Sequence, residues 1–293
     1  MSPFVLALVL SSAVVHATWN LWTKQLGPHV RSASLLWLLT AISSICYAPF
    51  VLAVLRSSDW RPDLAALALI VGSGVIHVGY FILLLRGYRV GDLSVVYPLA
   101  RGTGPLLATA GAVLLLGEHP NLLSVAGALL IASGVLVVTT AGVAGATPGS
   151  PRRLAAGVGY GLATGVAIAV YTLWDGWGVK RAGVPPLVFY WGGEVVRVLV
   201  LSPVALRAPG DIAVLWREQR WRVFGIALLS PLSYILILLA LQHGDVGHIA
   251  PAREVSILIG AWLGGRVLGE GDRRRRLVAA AAFAGGVIAL AFA

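Results

Sequence analysis

Ten runs of about 20 residues, almost free of charge, constrain this chain more than any other feature, because about 20 helical residues cross a hydrocarbon core about 30 Å thick. Backbone groups in lipid must be satisfied within the segment, so such runs read as membrane-spanning helices. They fall near 3–23, 33–55, 64–85, 93–116, 122–141, 154–177, 186–206, 223–241, 246–268 and 277–293. Almost nothing is left for a soluble domain. The first run could be a secretory leader, since Val15 to Ala17 has the small-residue character of a cleavage site. No Lys or Arg precedes its apolar core, and an equivalent run recurs at 154–177, so it reads as a retained helix.

Composition agrees: 58% of the 293 residues are hydrophobic and 12% charged, where a soluble domain has about 25% charged residues. The formal net charge of +10 would suggest nucleic acid for a soluble chain. Here the basic residues cluster in short loops, where they set orientation instead, and no nucleic-acid partner is expected. Fifteen follow runs one, three, five, seven and nine, whereas the remaining loops hold Arg56, Arg61, Lys180 and Arg181. The positive-inside rule then places the first set in the cytoplasm and both termini outside, in a plasma (inner) membrane. The single cysteine, Cys46, excludes an intramolecular disulfide and a thiolate metal cluster, and reads as core.

A Pro/Gly-rich linker, GVAGATPGSP at 142–151, divides the chain at its middle. On either side stands a copy of one pattern. Trp22 pairs with Trp174, Arg101 with Arg253, and Gly117-Glu118 with Gly269-Glu270, all at an offset of 152 positions. YPLARGTGPLLATAGAVLLLGE (97–118) matches APAREVSILIGAWLGGRVLGE (250–270) with one residue of slippage before the Arg. HATWNLWTK (16–24) and VYTLWDGWGVK (170–180) end the first helix of each copy. The expected units are a first repeat at 1–141, a linker at 142–153 and a second repeat at 154–293. Five runs per copy start the second copy on the opposite face. The expected fold class is therefore all-α integral membrane, with ten transmembrane helices as two inverted five-helix repeats, an arrangement suited to alternating access.

The WN-x-x-x-K ending of helix one, the YPLARG opening of helix four and its LGE ending resemble the EamA-type drug/metabolite transporter superfamily, over essentially the whole chain. That resemblance implies a central cavity lined by helices one, three, four, six, eight and nine, and a small-molecule substrate that the motifs do not name. The second copy has Thr172 where Asn20 stands in the first, so a role for Asn20 is not duplicated.

Charge inside a span is expensive, about 2.5–3.5 kcal/mol on insertion scales, and normally faces a cavity or a partner. Arg101, Glu194, Arg197, Arg253 and Glu254 lie inside spans, with His16 and His77 as weaker cases. Glu194 and Arg197, three apart on helix seven, read either as a self-neutralising packing pair or as a proton-coupling carboxylate and its partner. Arg101 lies about 12 Å into helix four at 1.5 Å per residue, between Pro98 and Pro105, whose rings break helices and expose backbone to a ligand. Arg253 beside Pro251 repeats the arrangement, so the two guanidinia would flank a gap suited to a carboxylate or another small anion. The competing reading locks each Arg to Glu254, Glu118 or a carbonyl.

Aromatic residues complete the expected substrate site: Trp19, Tyr80, Tyr97, Tyr171 and Tyr234, together with Asn20, His77, Arg101 and Arg253. Trp22, Trp174 and Trp177 read as an interfacial belt. His77 is either a proton shuttle or a satisfied core histidine, and Gly157, Gly161 and Gly165 form a close-packing ladder.

VGSGV (71–75) is not a nucleophile turn, and the chain has no P-loop, nucleotide fingerprint or metal-ligand cluster, so no enzyme, cofactor or metal is expected. The expectation is a monomeric secondary transporter in the bilayer, an exporter of a small polar or amphipathic metabolite, driven by proton exchange or by the substrate gradient. The competing class is a non-transporting membrane protein such as a lipid scramblase or a sensor.

Overall fold

The computed structural model describes residues 1–26, 32–91, 93–140, 151–268 and 273–293, which hold eleven helices and no strand. They are α1 (Pro3–Lys24), α2 (Ser32–Ser57), α3 (Leu64–Val90), α4 (Leu93–Leu116), α5 (Leu122–Thr140), α6 (Pro151–Lys180), α7 (Pro186–Ala205), α8 (Pro209–His243), α9 (Val246–Ala252), α10 (Val255–Leu268) and α11 (Arg273–Phe292). Seven of them, α1 to α4 and α6 to α8, are long and apolar enough to cross a membrane, and α5 and α11 contain the shorter apolar stretches Leu122–Val137 and Leu277–Phe292. The chain is thus an all-helical, multi-pass membrane protein. Of the expected linker, 142–150 lies outside the described residues and 151–153 open α6; Gly269-Glu270 also lies outside them.

Local chemistry sets the helix ends. Ser2 caps α1 with Pro3 at its first position, and Asp63 accepts from Ala66 N at 2.7 Å to cap α3. Gly117, with φ +68°, ends α4, and Glu118 N reaches back to the Ala112 carbonyl at 3.1 Å, a reversal that a left-handed glycine allows. The Glu118 carboxylate then crosses to α9 and accepts from Val246 N and Gly247 N at 2.8 and 2.9 Å. The Gly-Glu motif therefore stops one helix and caps another, and Glu118 is corrected as a partner for the arginines in the competing reading. The N-terminal ammonium donates to the Leu290 and Ala291 carbonyls at 3.2 and 3.1 Å, so the two chain ends meet on one face.

The expected ninth span is broken. Pro251 has no N–H for the Gly247 carbonyl, and that oxygen instead accepts from Thr109 Oγ1 at 3.4 Å. Beyond it the hydrogen bonds tighten to three-residue spacing (Glu254 N to Pro251 O, Ser256 N to Arg253 O), and α9 gives way to α10 across Arg253-Glu254. In α4, by contrast, Pro98 and Pro105 stay within one continuous helix. A tight seam with α6 accompanies that continuity. A Cβ on Gly161 would meet Leu99 at 2.8 Å, and one on Gly165 would meet Thr103 at 2.1 Å, as expected for a small-residue ladder. The eighth helix also exceeds its expected bounds, because an additional segment from Pro209 joins it through a non-helical Gln219.

Two contacts fix the ends of the helices that HATWNLWTK and VYTLWDGWGVK close. The Trp22 ring on α1 lies against Gly225 of α8, and the Trp174 ring on α6 lies against Gly72 of α3, each within 2.5 Å of where a Cβ would stand. Trp174 Nε1 also donates to the Leu69 carbonyl at 2.8 Å. The Trp residues thus hold the halves together as well as standing near the span ends.

Candidate functional site

Helices α1, α2, α3, α7 and α8 surround a cavity of about 410 Å³ in the half of the molecule nearer the α1–α2 connection. Its wall is mostly apolar. Trp19 and Thr23 of α1, Thr40 and Ser43 of α2, Phe81 and Leu85 of α3 and Ser230 and Pro231 of α8 contribute to it. Among the described lining residues only Glu194 and Arg197 of α7 are charged, and they are ion-paired to each other on successive turns. The Arg197 guanidinium also lies 5.2 Å from the Tyr190 ring centre, a cation–π distance. This face of α7 is neutral as a whole and polar only at one point.

Past Tyr190 the cavity gives way to a closed polar core. The Tyr190 and Tyr234 rings are 5.7 Å apart, and the Tyr234 hydroxyl donates to Asp175 Oδ2 at 2.6 Å. His77 Nε2 stands 3.9 Å from the same oxygen, while His77 Nδ1 is 2.9 Å from the Ser73 carbonyl. The His77 ring stacks on Tyr171 at 4.4 Å, and Tyr80 meets Tyr171 edge-on at 5.5 Å. Arg253 Nη2 donates to the Tyr171 hydroxyl at 3.0 Å. The break between α9 and α10 places that guanidinium on the core side.

The two repeat arginines converge on Glu254. Arg101 Nη2 is 2.9 Å from Glu254 Oε2, and Arg253 Nε is 3.7 Å from Oε1, with Glu254 buried to 1% exposure. Tyr97 faces the same pair. The gap expected between the guanidinia is thus occupied by the protein's own carboxylate. Most of the expected site is assembled here: Tyr80, Tyr97, Arg101, Tyr171, Tyr234, His77 and Arg253 belong to the core, and Trp19 borders the cavity and donates to Ser233 Oγ at 3.3 Å. Asn20 does not join them. Its amide donates to the His16 carbonyl of its own helix at 2.8 Å and its side chain is exposed, so a lining role for it is corrected.

Sequence reasoning missed Asp175, the most deeply buried acid of the core at 0% exposure. The sixth span was expected to end at 177, two residues past Asp175, which was not singled out. The helix runs on to Lys180, three residues further, and so sets Asp175 deeper within it. One signal was available, because Asp175 falls one turn after Tyr171 and so on the same helical face.

Residues 3–140 match the EamA-like transporter family, in line with the resemblance that the motifs carry. A crystal structure 18% identical in sequence superposes with a TM-score of 0.79, covering 99% of this chain and 96% of the other, and shows that the fold extends over the whole chain. No curated protein matches the chain.

Proposed function

We propose that the chain is a secondary active transporter exporting a small polar or amphipathic metabolite, amino-acid-like, carboxylate or phosphonate, by alternating access. In this reading 1–141 and 154–293 are inverted five-helix repeats, joined by 142–153, that make up ten spans. One observation carries the reading: four residues of the closed core have their repeat counterparts on the wall of the open cavity. Tyr171 and Asp175 lie 152 positions after Trp19 and Thr23, while Tyr234 and Ser230 lie 153 after Phe81 and His77. The same two offsets relate the contacts Trp22–Gly225 and Trp174–Gly72. Equivalent surfaces thus stand open at one end and shut at the other, as two conformations of one unit would.

The loop-charge bias makes the open end cytoplasmic and the termini external. A cavity of about 410 Å³ suits a small metabolite. Glu254 between Arg101 and Arg253 has the chemistry of a bound carboxylate, so an anionic group of the substrate takes its place as the ends exchange. Tyr80 and Tyr97 supply hydroxyl groups beside it, and Glu194 and Arg197 neutralise each other where substrate enters.

Counterflow in proteoliposomes tests this with labelled amino acids, alkyl phosphonates and cationic dyes. Saturable counterflow of at least one probe is expected. Arg101→Lys should lower it about tenfold or more at equal expression, because an ammonium keeps the charge but loses the planar fork. No counterflow across the panel, with lipid scrambling present instead, would overturn the reading.

A further inference from the structure

The closed core contains an acid that the substrate site does not use. Asp175 is wholly buried, and no Lys or Arg among the described residues pairs with it. The groups facing it are Tyr234 from α8, His77 and Ser73 from α3, Tyr171 on its own helix and, farther off, Arg253 at the α9–α10 break and Arg197 of α7. Neither Arg is free for it: Arg253 is bonded to Tyr171 and beside Glu254, and Arg197 is paired with Glu194.

His77 decides how this pocket is satisfied. Its Nδ1 lies 2.9 Å from the Ser73 carbonyl, which only accepts, so Nδ1 carries a hydrogen. A neutral His77 therefore turns a lone pair toward Asp175 Oδ2 at 3.9 Å. With Asp175 ionised, two acceptors would face each other in a buried site and a charge would stand unpaired, an unfavourable burial. One added proton, on either partner, removes both conflicts.

We propose that Asp175 and His77 form a proton-binding site in which one proton, taken from the medium at this end of the molecule, is required for the end to close. This rests on the alternating-access reading. Tyr234 closes the site with its hydrogen bond to Asp175, and withdrawal of Tyr234 with α8 exposes the pair and lets the proton leave. Acid therefore favours the closed state of this end and alkali its opening. The site is one-sided, since Thr23 and Ser230 occupy the equivalent positions at the open end. Glu194 differs in that its charge is already compensated by Arg197.

The test follows a thiol at Val188, which is buried here and whose repeat counterpart, Leu36, lines the open cavity. Purified full-length Cys46→Ser/Val188→Cys protein is treated with a maleimide across a pH series, each rate being divided by that of the same thiol in denatured protein. Normalised labelling should rise severalfold from acid to alkaline pH. Asp175→Asn, whose amide oxygen still accepts from Tyr234 and which mimics the protonated acid, should be slow at every pH, whereas Glu218→Gln, at an exposed acid of α8, should keep the wild-type response. An unchanged pH response in Asp175→Asn, or a flat profile in the parent, would overturn the proposal. If Asp175→Asn fails to accumulate, Asp175→Thr, which removes the titrating acid and installs the residue found at the equivalent position, Thr23, carries the same test with the same two outcomes. Wild-type counterflow decides alternating access separately, so a failure here with counterflow intact removes the proton site alone.

Discussion

The proposed repeat sets the two ends of the central core at corresponding positions, yet their chemistry differs. At the open end Trp19, Thr23, Phe81 and Ser230 line a cavity; at the closed end Tyr171, Asp175, Tyr234 and His77 make a stacked, hydrogen-bonded plug. Scaffold contacts are kept at both ends, as Trp22 on Gly225 and Trp174 on Gly72 show. If the chain is duplicated as proposed, the duplication has preserved what packs the helices and changed the chemistry of the cavity wall and the core. In that proposal the departures from the repeat, more than its matches, point to the functional residues.

The sharpest test of that contrast compares two buried ion pairs. Glu254→Gln leaves Arg101 and Arg253 facing each other in a closed site, and the expected loss is about 3–5 kcal/mol, as for other buried charges stripped of a partner. Glu194→Gln strips Arg197 in the same way, but it leaves one buried guanidinium without its carboxylate where Glu254→Gln leaves two. Its loss should be clearly smaller. Thermal unfolding of both variants in one detergent measures the difference, and equal losses would mean that the second guanidinium adds nothing to the cost.

Smaller effects are expected where the ends are alike. Alanine at Gly72 or Gly225 puts a Cβ about 2.5 Å from an indole carbon, and overpacking of this kind costs about 1–3 kcal/mol. Gly72→Ala should be the worse of the two, because Trp174 is tethered through Nε1 to the Leu69 carbonyl and yields less readily. Melting temperatures of the two single variants check the order. If Gly225→Ala were neutral, the contact at the open end would be loose and the likeness of the scaffolds broken.

How much of this could be read beforehand follows from the range of the forces involved. Helices are local: the apolar runs placed each helix of the fold to within a few residues at most ends, except where the ninth run divides into α9 and α10 and where α8 starts early at Pro209. Arg101, Arg253 and the aromatic core were also legible, since charge within an apolar run has few places to go. Three things were not. The break at Arg253-Glu254 comes with Thr109 of another helix donating to the freed Gly247 carbonyl, while Pro98 and Pro105 show that proline alone does not decide a break. Glu118 acts on α9, more than 120 residues away in the chain, as its bond to Val246 N shows. Asp175 was hidden by three residues of error in a helix end, and Asn20 was promoted by a motif whose side chain turns back to its own helix.

The smallest expected effect on stability comes from moving the closed end's chemistry to the open end. Thr23 Oγ1 donates only to the Trp19 carbonyl of its own helix, at 2.9 Å, and both Thr23 and Phe81 face the cavity. Thr23→Asp with Phe81→Tyr should therefore change unfolding by no more than about 0.5 kcal/mol, the range of substitutions at solvated positions. Its effect on conformation should be larger. In the Cys46→Ser/Leu36→Cys background the parent thiol should label faster in acid, because closing the far end leaves this end open. With the acid and hydroxyl installed, the open end gains a group that must also be neutral before it can shut, and acid should then protect Leu36→Cys instead. If acid still accelerated labelling, the difference between the ends would lie in how α1 and α6 pack against their partners, and the four core residues would be passengers of that packing.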